Sequence, residues 1–193
     1  MTKIAIILGS TRVGRNGEAV AKWVLEHAQQ RTDAEFELVD LRDYPLPLFD
    51  EPTSPAYGAS DKEEVQRWTA KVAEFDGYVF VTPEYNHSLP AVLKNAIDYV
   101  YPEWNNKAAS IVSYGTAGGA RAAEHLRLVA AEAQMATVRQ QVTLSIMIDF
   151  VNMSQFSPAE YHLPTLDVQL DQLVAWSRAF AAMRAGSLEG AAA

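Results

Sequence analysis

Five short apolar runs, rich in β-branched and aromatic residues, punctuate the chain at positions 3–8, 35–39, 77–82, 108–113 and 137–142. Runs of this length bounded by turn-forming residues predict buried strands. Between them the apolar positions step by three and four. Val65, Trp68, Val72 and Phe75 predict a helix, and Ser60-Asp61-Lys62-Glu63 ahead of it reads as a capping box. Leu89, Val92, Leu93, Ala96, Ile97 and Val100 form a second stripe, with Pro90 in the first turn, where proline is tolerated. Leu166, Leu170, Leu173, Val174, Phe180 and Met183 mark the last helix. Segments 17–29 and 117–133 are Ala-rich helices with weaker stripes, although Val20, Trp23 and Val24 point one way. Positions 146–164 show no period and are expected to be irregular. Residues 186–193 read as a loose, flexible tail, which leaves one domain over 1–185.

Strands alternating with helices predict an α/β fold, a parallel sheet covered on both faces. With five strands the expectation is a flavodoxin-like, doubly wound sheet in the order 2-1-3-4-5. Its ligand crevice lies where the order reverses, between the first and third strands. Polar, Gly-containing loops follow the first, third and fourth strands, which are neighbours in that order. The stretch 44–57 after the second strand is Pro-rich and is read as a plain connection. Three distinctive loops on adjacent strands point to one shared ligand.

The first loop runs Gly9-Ser10-Thr11-Arg12-Val13-Gly14-Arg15-Asn16-Gly17. Gly9 and Gly14 have P-loop spacing, but Arg15-Asn16 stands where Lys-Ser/Thr is required, which argues against nucleotide triphosphate hydrolysis. Thr11 occupies the second glycine position of G-x-G-x-x-G, so the dinucleotide fingerprint fails too. What remains is hydroxyls and guanidiniums ahead of a helix N-terminus, a cradle for one phosphate. Ser10, Thr11, Arg12, Arg15, Asn16 and Gly17 are its candidate residues; a Gly-rich turn with solvent-facing arginines is the plainer alternative. The second loop, Pro83-Glu84-Tyr85-Asn86, offers a rigid, aromatic and amide-bearing wall for a planar heterocycle. Asn86 or Ser88 can equally cap the following helix. His87 is read as a surface or turn residue. In the third loop, Ser113-Tyr114-Gly115 and Gly118-Gly119 let backbone approach a ligand closely.

Composition narrows the chemistry. The 193 residues are 49% apolar and 21% charged, with a net charge of −8 that argues against nucleic acid as a partner. Cysteine is absent, excluding thiolate metal sites and cysteine nucleophiles, and the four histidines lack metal-ligand spacing. No metal is expected. No apolar run reaches membrane-spanning length, and the chain opens on its first strand without a leader, so no membrane partner and a cytoplasmic location are expected.

The three motifs, in this order and at these separations, resemble the NAD(P)H-dependent FMN reductase family, flavodoxin-fold enzymes that include quinone, azo-dye and chromate reductases. The match is strongest at Pro83-Glu84-Tyr85-Asn86, Pro90, Leu93-Lys94-Asn95 and Ile97-Asp98, and it extends over most of 3–142. The resemblance implies an FMN phosphate on Ser10, Arg12 and the turn Arg15-Asn16-Gly17. It implies an isoalloxazine against Pro83, Glu84, Tyr85, Asn86 and the backbone from Ser113 to Gly119. It further implies NADPH or NADH as co-substrate and hydride transfer to the flavin, with no side-chain catalyst. Two electrons then pass to a small acceptor such as a flavin, quinone, azo compound or metal oxyanion. Many members carry Ser at the position of Arg15 and Asn at that of Gly17, so Arg15 either replaces a lost hydroxyl or points to solvent. A homodimer or homotetramer is implied as well. Tyr99, Tyr101 and Trp104 are candidate interface aromatics, with ordinary core packing as the alternative. Two rival readings remain open: a flavin-binding electron carrier or sensor, and a flavin-free module binding a phosphometabolite or a partner.

Overall fold

In the computed structural model, which describes residues 1–186, a parallel sheet is covered by helices on both faces. The elements run β1 (Lys3–Leu8), α1 (Gly17–Ala28), β2 (Glu35–Asp40), α2 (Glu63–Ala73), β3 (Gly77–Pro83), α3 (Ala91–Asp98) and β4 (Lys107–Gly115). They continue through α4 (Ala120–Glu132), β5 (Met135–Thr137), β6 (Val142–Ser145), β7 (Phe150–Val151), β8 (Gln155–Phe156) and α5 (His162–Arg184). The sheet order is β2-β1-β3-β4-β5, with β6 also on β4. This is the expected flavodoxin-like, doubly wound α/β fold. The expected tail, beyond Gly186, lies outside the described residues.

Period-two alternation along the strands splits the core into two layers. Ile4, Ile6, Leu8, Val79 and Val81 pack against Val20 and Val24 of α1 and Leu166, Leu170 and Leu173 of α5. Ala5, Ile7, Tyr78 and Phe80 face Trp68 and Val72 of α2, Leu93 and Ile97 of α3, and Leu126 of α4. Tyr99 and Trp104 belong to this second layer, 3% and 0% exposed, so core packing accounts for them. Tyr101 alone of that trio is half-buried.

Four details differ from the sequence expectations. The fifth strand is not one run over 137–142: β5 pairs with Lys107–Ala109 and β6 with Val112–Gly115 of β4. The interruption is held by Arg127 of α4, whose guanidinium donates to the carbonyls of Val138 (2.8 Å) and Arg139 (3.3 Å) and to Gln141 Oε1 (2.9 Å). The capping box does not form, because Glu63 is itself the first helical residue of α2. Ser60 Oγ instead accepts from the Lys62 amide (3.2 Å) and donates to Glu51 (2.6 Å). Pro90 precedes α3 rather than lying within it, and neither Asn86 nor Ser88 caps that helix. Finally, the stretch 146–164, read as irregular, contains the β7–β8 hairpin and the first turn of α5.

Candidate functional site

The loops after β1, β3 and β4 meet in one crevice of about 320 Å³ at the C-terminal edge of the sheet. Arg12, Gly14, Arg15 and Asn16 line it from the first loop, Pro83, Glu84 and Tyr85 from the second, and Tyr114, Gly115 and Thr116 from the third. The expected convergence is therefore present in the geometry. A fourth wall was not expected: Ile146, Met153 and Ser154, from the segment after β6. The β7–β8 hairpin that carries Met153 is tied to the first loop by Asn16, whose Nδ2 donates to the Met153 carbonyl (2.9 Å).

One buried carboxylate holds that hairpin. Asp149, 1% exposed, accepts from the Ser145 amide (2.8 Å), the Ala159 amide (3.1 Å) and His162 Nε2 (2.9 Å). On its inner side Phe150 packs between Tyr114 and Phe156, and Phe156 meets Trp23 of α1 edge to face. The hairpin is thus fastened to the site by polar and aromatic contacts together.

In the first loop, Ser10 is buried and its hydroxyl shares a 2.9 Å hydrogen bond with Tyr85, joining two walls. Thr11 is half-buried. Arg12 is exposed, and among the described residues its guanidinium donates to nothing. Arg15 behaves differently from either expectation for it. Its side chain, 2% exposed, turns inward and forks onto Asp40 at the end of β2, with a 2.8 Å bond from Nη1 and a second bond from Nη2. Burial pushes the Asp40 carboxyl up, but the Arg15 fork and the Arg42 amide outweigh it and leave the carboxyl below its ordinary range. Gly17 opens α1 against Tyr114: a Cβ there would lie 2.4 Å from the Tyr114 hydroxyl. That hydroxyl is buried and has no hydrogen-bond partner among the described residues, and burial raises its pKa.

In the second loop, Glu84 reaches across to the start of α4. Its Oε2 accepts from the Arg121 amide (3.1 Å), and its Oε1 pairs with the Arg121 guanidinium. Burial raises this carboxyl, and the Arg121 bonds bring it below the usual range. Asn86 and His87 form the tip of a tight turn, both at positive φ (50° and 71°), closed by reciprocal bonds between Tyr85 and Ser88. His87 is exposed at that turn, as expected, and Asn86 borders the neighbouring groove instead of the crevice. In the third loop, Ser113 Oγ donates to the Gly118 carbonyl (2.8 Å) and closes the turn from within. Gly118 and Gly119 adopt left-handed φ (67° and 73°) beneath the crevice wall, packed on Thr143 and on the Tyr114 backbone. The structure thus brings Arg12, Arg15, Asn16, Pro83, Glu84, Tyr85, Tyr114 and Gly115 together as the crevice lining. Ser113, Gly118 and Gly119, all buried, shape the third loop from behind.

A switch-point crevice with an arginine-bearing loop at a helix N-terminus defines a flavodoxin-like binding protein for a phosphorylated ligand. Comparison with known proteins sharpens that class. A model of the NADPH-dependent FMN reductase family matches residues 2–148, and the chain belongs to this family. An NAD(P)H-dependent FMN reductase of Schizosaccharomyces pombe is 41% identical over 159 residues, covering 81% of this chain and 80% of the relative. A 2-hydroxy-1,4-benzoquinone reductase of a Burkholderia species is 34% identical, covering 72% and 75% of the two chains. In structure, the chain superposes on the flavoenzyme FerB of Paracoccus denitrificans with a TM-score of 0.72, at 23% identity over 93% of this chain and 99% of that one. The protein is accordingly an NAD(P)H-dependent oxidoreductase with FMN as its cofactor. The electron-carrier and flavin-free readings give way to the enzyme.

Proposed function

We propose that the crevice holds FMN with its phosphate on Arg12 and the amides of the first loop, and its ring between Tyr85 and the Tyr114–Gly115 backbone. The observation that carries this reading is the division of labour among arginines. Arg15 is consumed by Asp40, whereas Arg12 keeps a free guanidinium beside unpaired amides. The Tyr114 hydroxyl, buried without a partner among the described residues, backs the same cradle against Gly17. Bound FMN supplies two-electron exchange between NADPH or NADH and an acceptor. The chain's own residues position and enclose it. Pro83 and Gly115 hold the rim, Tyr85 offers an aromatic face, and Ile146 and Met153 exclude water from the side of the hairpin. A small quinone suits the half-apolar mouth as acceptor, and the Burkholderia relative's name supports that class.

The test is affinity, read with and without the phosphate. A charge-assisted bond contributes roughly 1.5–3 kcal/mol, so Arg12→Ala should weaken FMN about ten- to a hundredfold and leave riboflavin nearly unchanged. Equal losses for both flavins would move the phosphate elsewhere.

We also assign a second copy of the chain to the apolar groove between α3 and α4, beside the crevice. Leu128, 73% exposed, stands in it with Val129, Ile97 and Phe49, and it runs on to Tyr85 and Asn86. Sedimentation at micromolar concentration should then give at least two chains, and a fully active monomer would refute the assignment. No helix among the described residues is long and apolar enough to cross a membrane. Consumption of NAD(P)H by a cysteine-free chain suits the cytoplasm, and fractionation of the source cells checks that placement.

A further inference from the structure

Three consecutive carbonyls of the first loop are gripped by guanidiniums. Arg15 Nη1 donates to the Ser10 carbonyl (2.6 Å), Arg42 Nε to that of Thr11 (3.4 Å) and Arg42 Nη2 to that of Arg12 (2.7 Å). One carboxylate organises both arginines: Asp40 takes the Arg15 fork and accepts from the Arg42 amide (2.9 Å). Arg42 lies in the single 3₁₀ turn Leu41–Asp43 that follows β2, a segment whose sequence carried no recognisable ligand chemistry. The amides tell the complementary half. Among the described residues, nothing accepts from the backbone N–H of Thr11, Val13, Gly14, Arg15 or Asn16.

These two observations are linked by the planarity of the peptide bond. In a trans peptide the C=O of one residue and the N–H of the next point in opposite directions. Fixing the carbonyls of Ser10 and Arg12 therefore orients the amides of Thr11 and Val13 to the other side, while the Arg12 amide between them donates to Ser10 Oγ (3.4 Å). Successive amides aimed together form a concavity for an anion. Without the grip, the same loop is free to turn those carbonyls toward the crevice, where they would repel a phosphate.

We infer that Asp40 and Arg42 are positioning residues for the phosphate: they clamp the carbonyl side of the loop so that its amide side is presented ready-made. Neither is expected to touch the ligand. The inference rests on the reading that FMN binds with its phosphate here, and it adds the end of β2 to the machinery of the site.

Arg42 is exposed, so its replacement is expected to leave the fold intact, which a thermal melt monitors. FMN and riboflavin are titrated into flavin-free wild type, Arg42→Ala and Arg42→Lys, and flavin fluorescence is read. Arg42→Ala should weaken FMN about three- to tenfold relative to riboflavin, the size expected for two modest hydrogen bonds acting at a distance. Arg42→Lys should be as weak as the alanine variant, because one ammonium retains the charge but lacks the fork that spans two carbonyls. Recovery of wild-type affinity with lysine would show that charge alone acts, overturning the clamp. So would an unchanged FMN affinity in Arg42→Ala, or an equal loss for both flavins. If wild type itself fails to prefer FMN over riboflavin, the phosphate reading fails first, and that outcome is distinguishable from the others.

Discussion

The two ends of the sheet use left-handed backbone in different ways. Where strands begin, Asn106 and Gln134 take positive φ singly (57° and 55°), immediately before β4 and β5. They are joined to each other by a bond from the Asn106 amide to the Gln134 carbonyl (2.9 Å). Around the crevice, the lone Gly14 apart, the left-handed residues come in consecutive pairs: Asn86 with His87, Gly118 with Gly119, and Asn152 with Met153. A single such residue redirects the chain into a strand. A pair folds it sharply back, so that a loop tip stands beside the opening. Polar groups follow the same division. At the strand starts, Lys107 bonds Tyr78 and Val72, and Arg184 bonds Asp76 and Asn106. At the crevice, Arg12, several amides and the Tyr114 hydroxyl are left over. At the strand starts the charged side chains are paired within the fold, although the Ser177 hydroxyl beside Gly77 has no partner among the described residues; at the crevice a charged side chain is unpaired as well.

The strongest way to break this comparison is through the paired glycines. A Cβ on Gly119 would lie 2.8 Å from the Tyr114 amide nitrogen, at a φ of +73°. Gly14 also has positive φ (+67°) but open space around it. Strain and overpacking together predict that Gly119→Ala costs about 3 kcal/mol in urea unfolding, against about 1 kcal/mol for Gly14→Ala. Similar costs at the two sites would mean that the pair is no more constrained than a lone turn.

Next in size is a pH effect confined to the other end. Burial, aided by nearby Arg184, lowers the Lys107 pKa to about 8. The unfolded chain then holds a proton that the folded chain has released between pH 8 and the ordinary lysine value near 10.5. Stability from this residue therefore rises with pH across that window. The difference in unfolding free energy between wild type and Lys107→Met should shift by about 2 kcal/mol in favour of wild type from pH 8 to pH 10. A flat difference would place the ammonium in water.

The smallest effect is at His87. Glycine there relieves left-handed strain of about 1 kcal/mol, loses the bond from Arg121 (2.7 Å) and frees the unfolded chain. A net gain of roughly 0.5 kcal/mol is expected for His87→Gly in the same urea experiment. A loss above about 1 kcal/mol would show that the Arg121 contact outweighs the strain.

What the sequence made legible follows from the range of the interactions involved. β1 to β4 and the three loops are uninterrupted local patterns, and each was readable without its neighbours. The break between β5 and β6 depends on Arg127, a residue on the preceding helix, and nothing within the run announces it. The hairpin was hidden for a related reason. Its strands are two residues long, and its fastening is one aspartate that bonds to positions 4, 10 and 13 residues away without any period. Arg15 was recognisable as a charge beside a phosphate loop. Its inward turn depends on Asp40, 25 residues on, which only the pairing of β1 with β2 brings near.

The crevice draws its lining from stretches as far apart as Arg12 and Ser154. Whatever fills it therefore staples the N-terminal third of the chain to a hairpin made more than 130 residues later. Binding to the folded state alone raises its free energy of unfolding by about 2.7 kcal/mol when free ligand stands at a hundred times its dissociation constant. With FMN as the proposed occupant, flavin-free protein is expected to be cleaved faster in limited proteolysis than the same protein with FMN added, and equal rates would mean that the ligand does not bridge these segments.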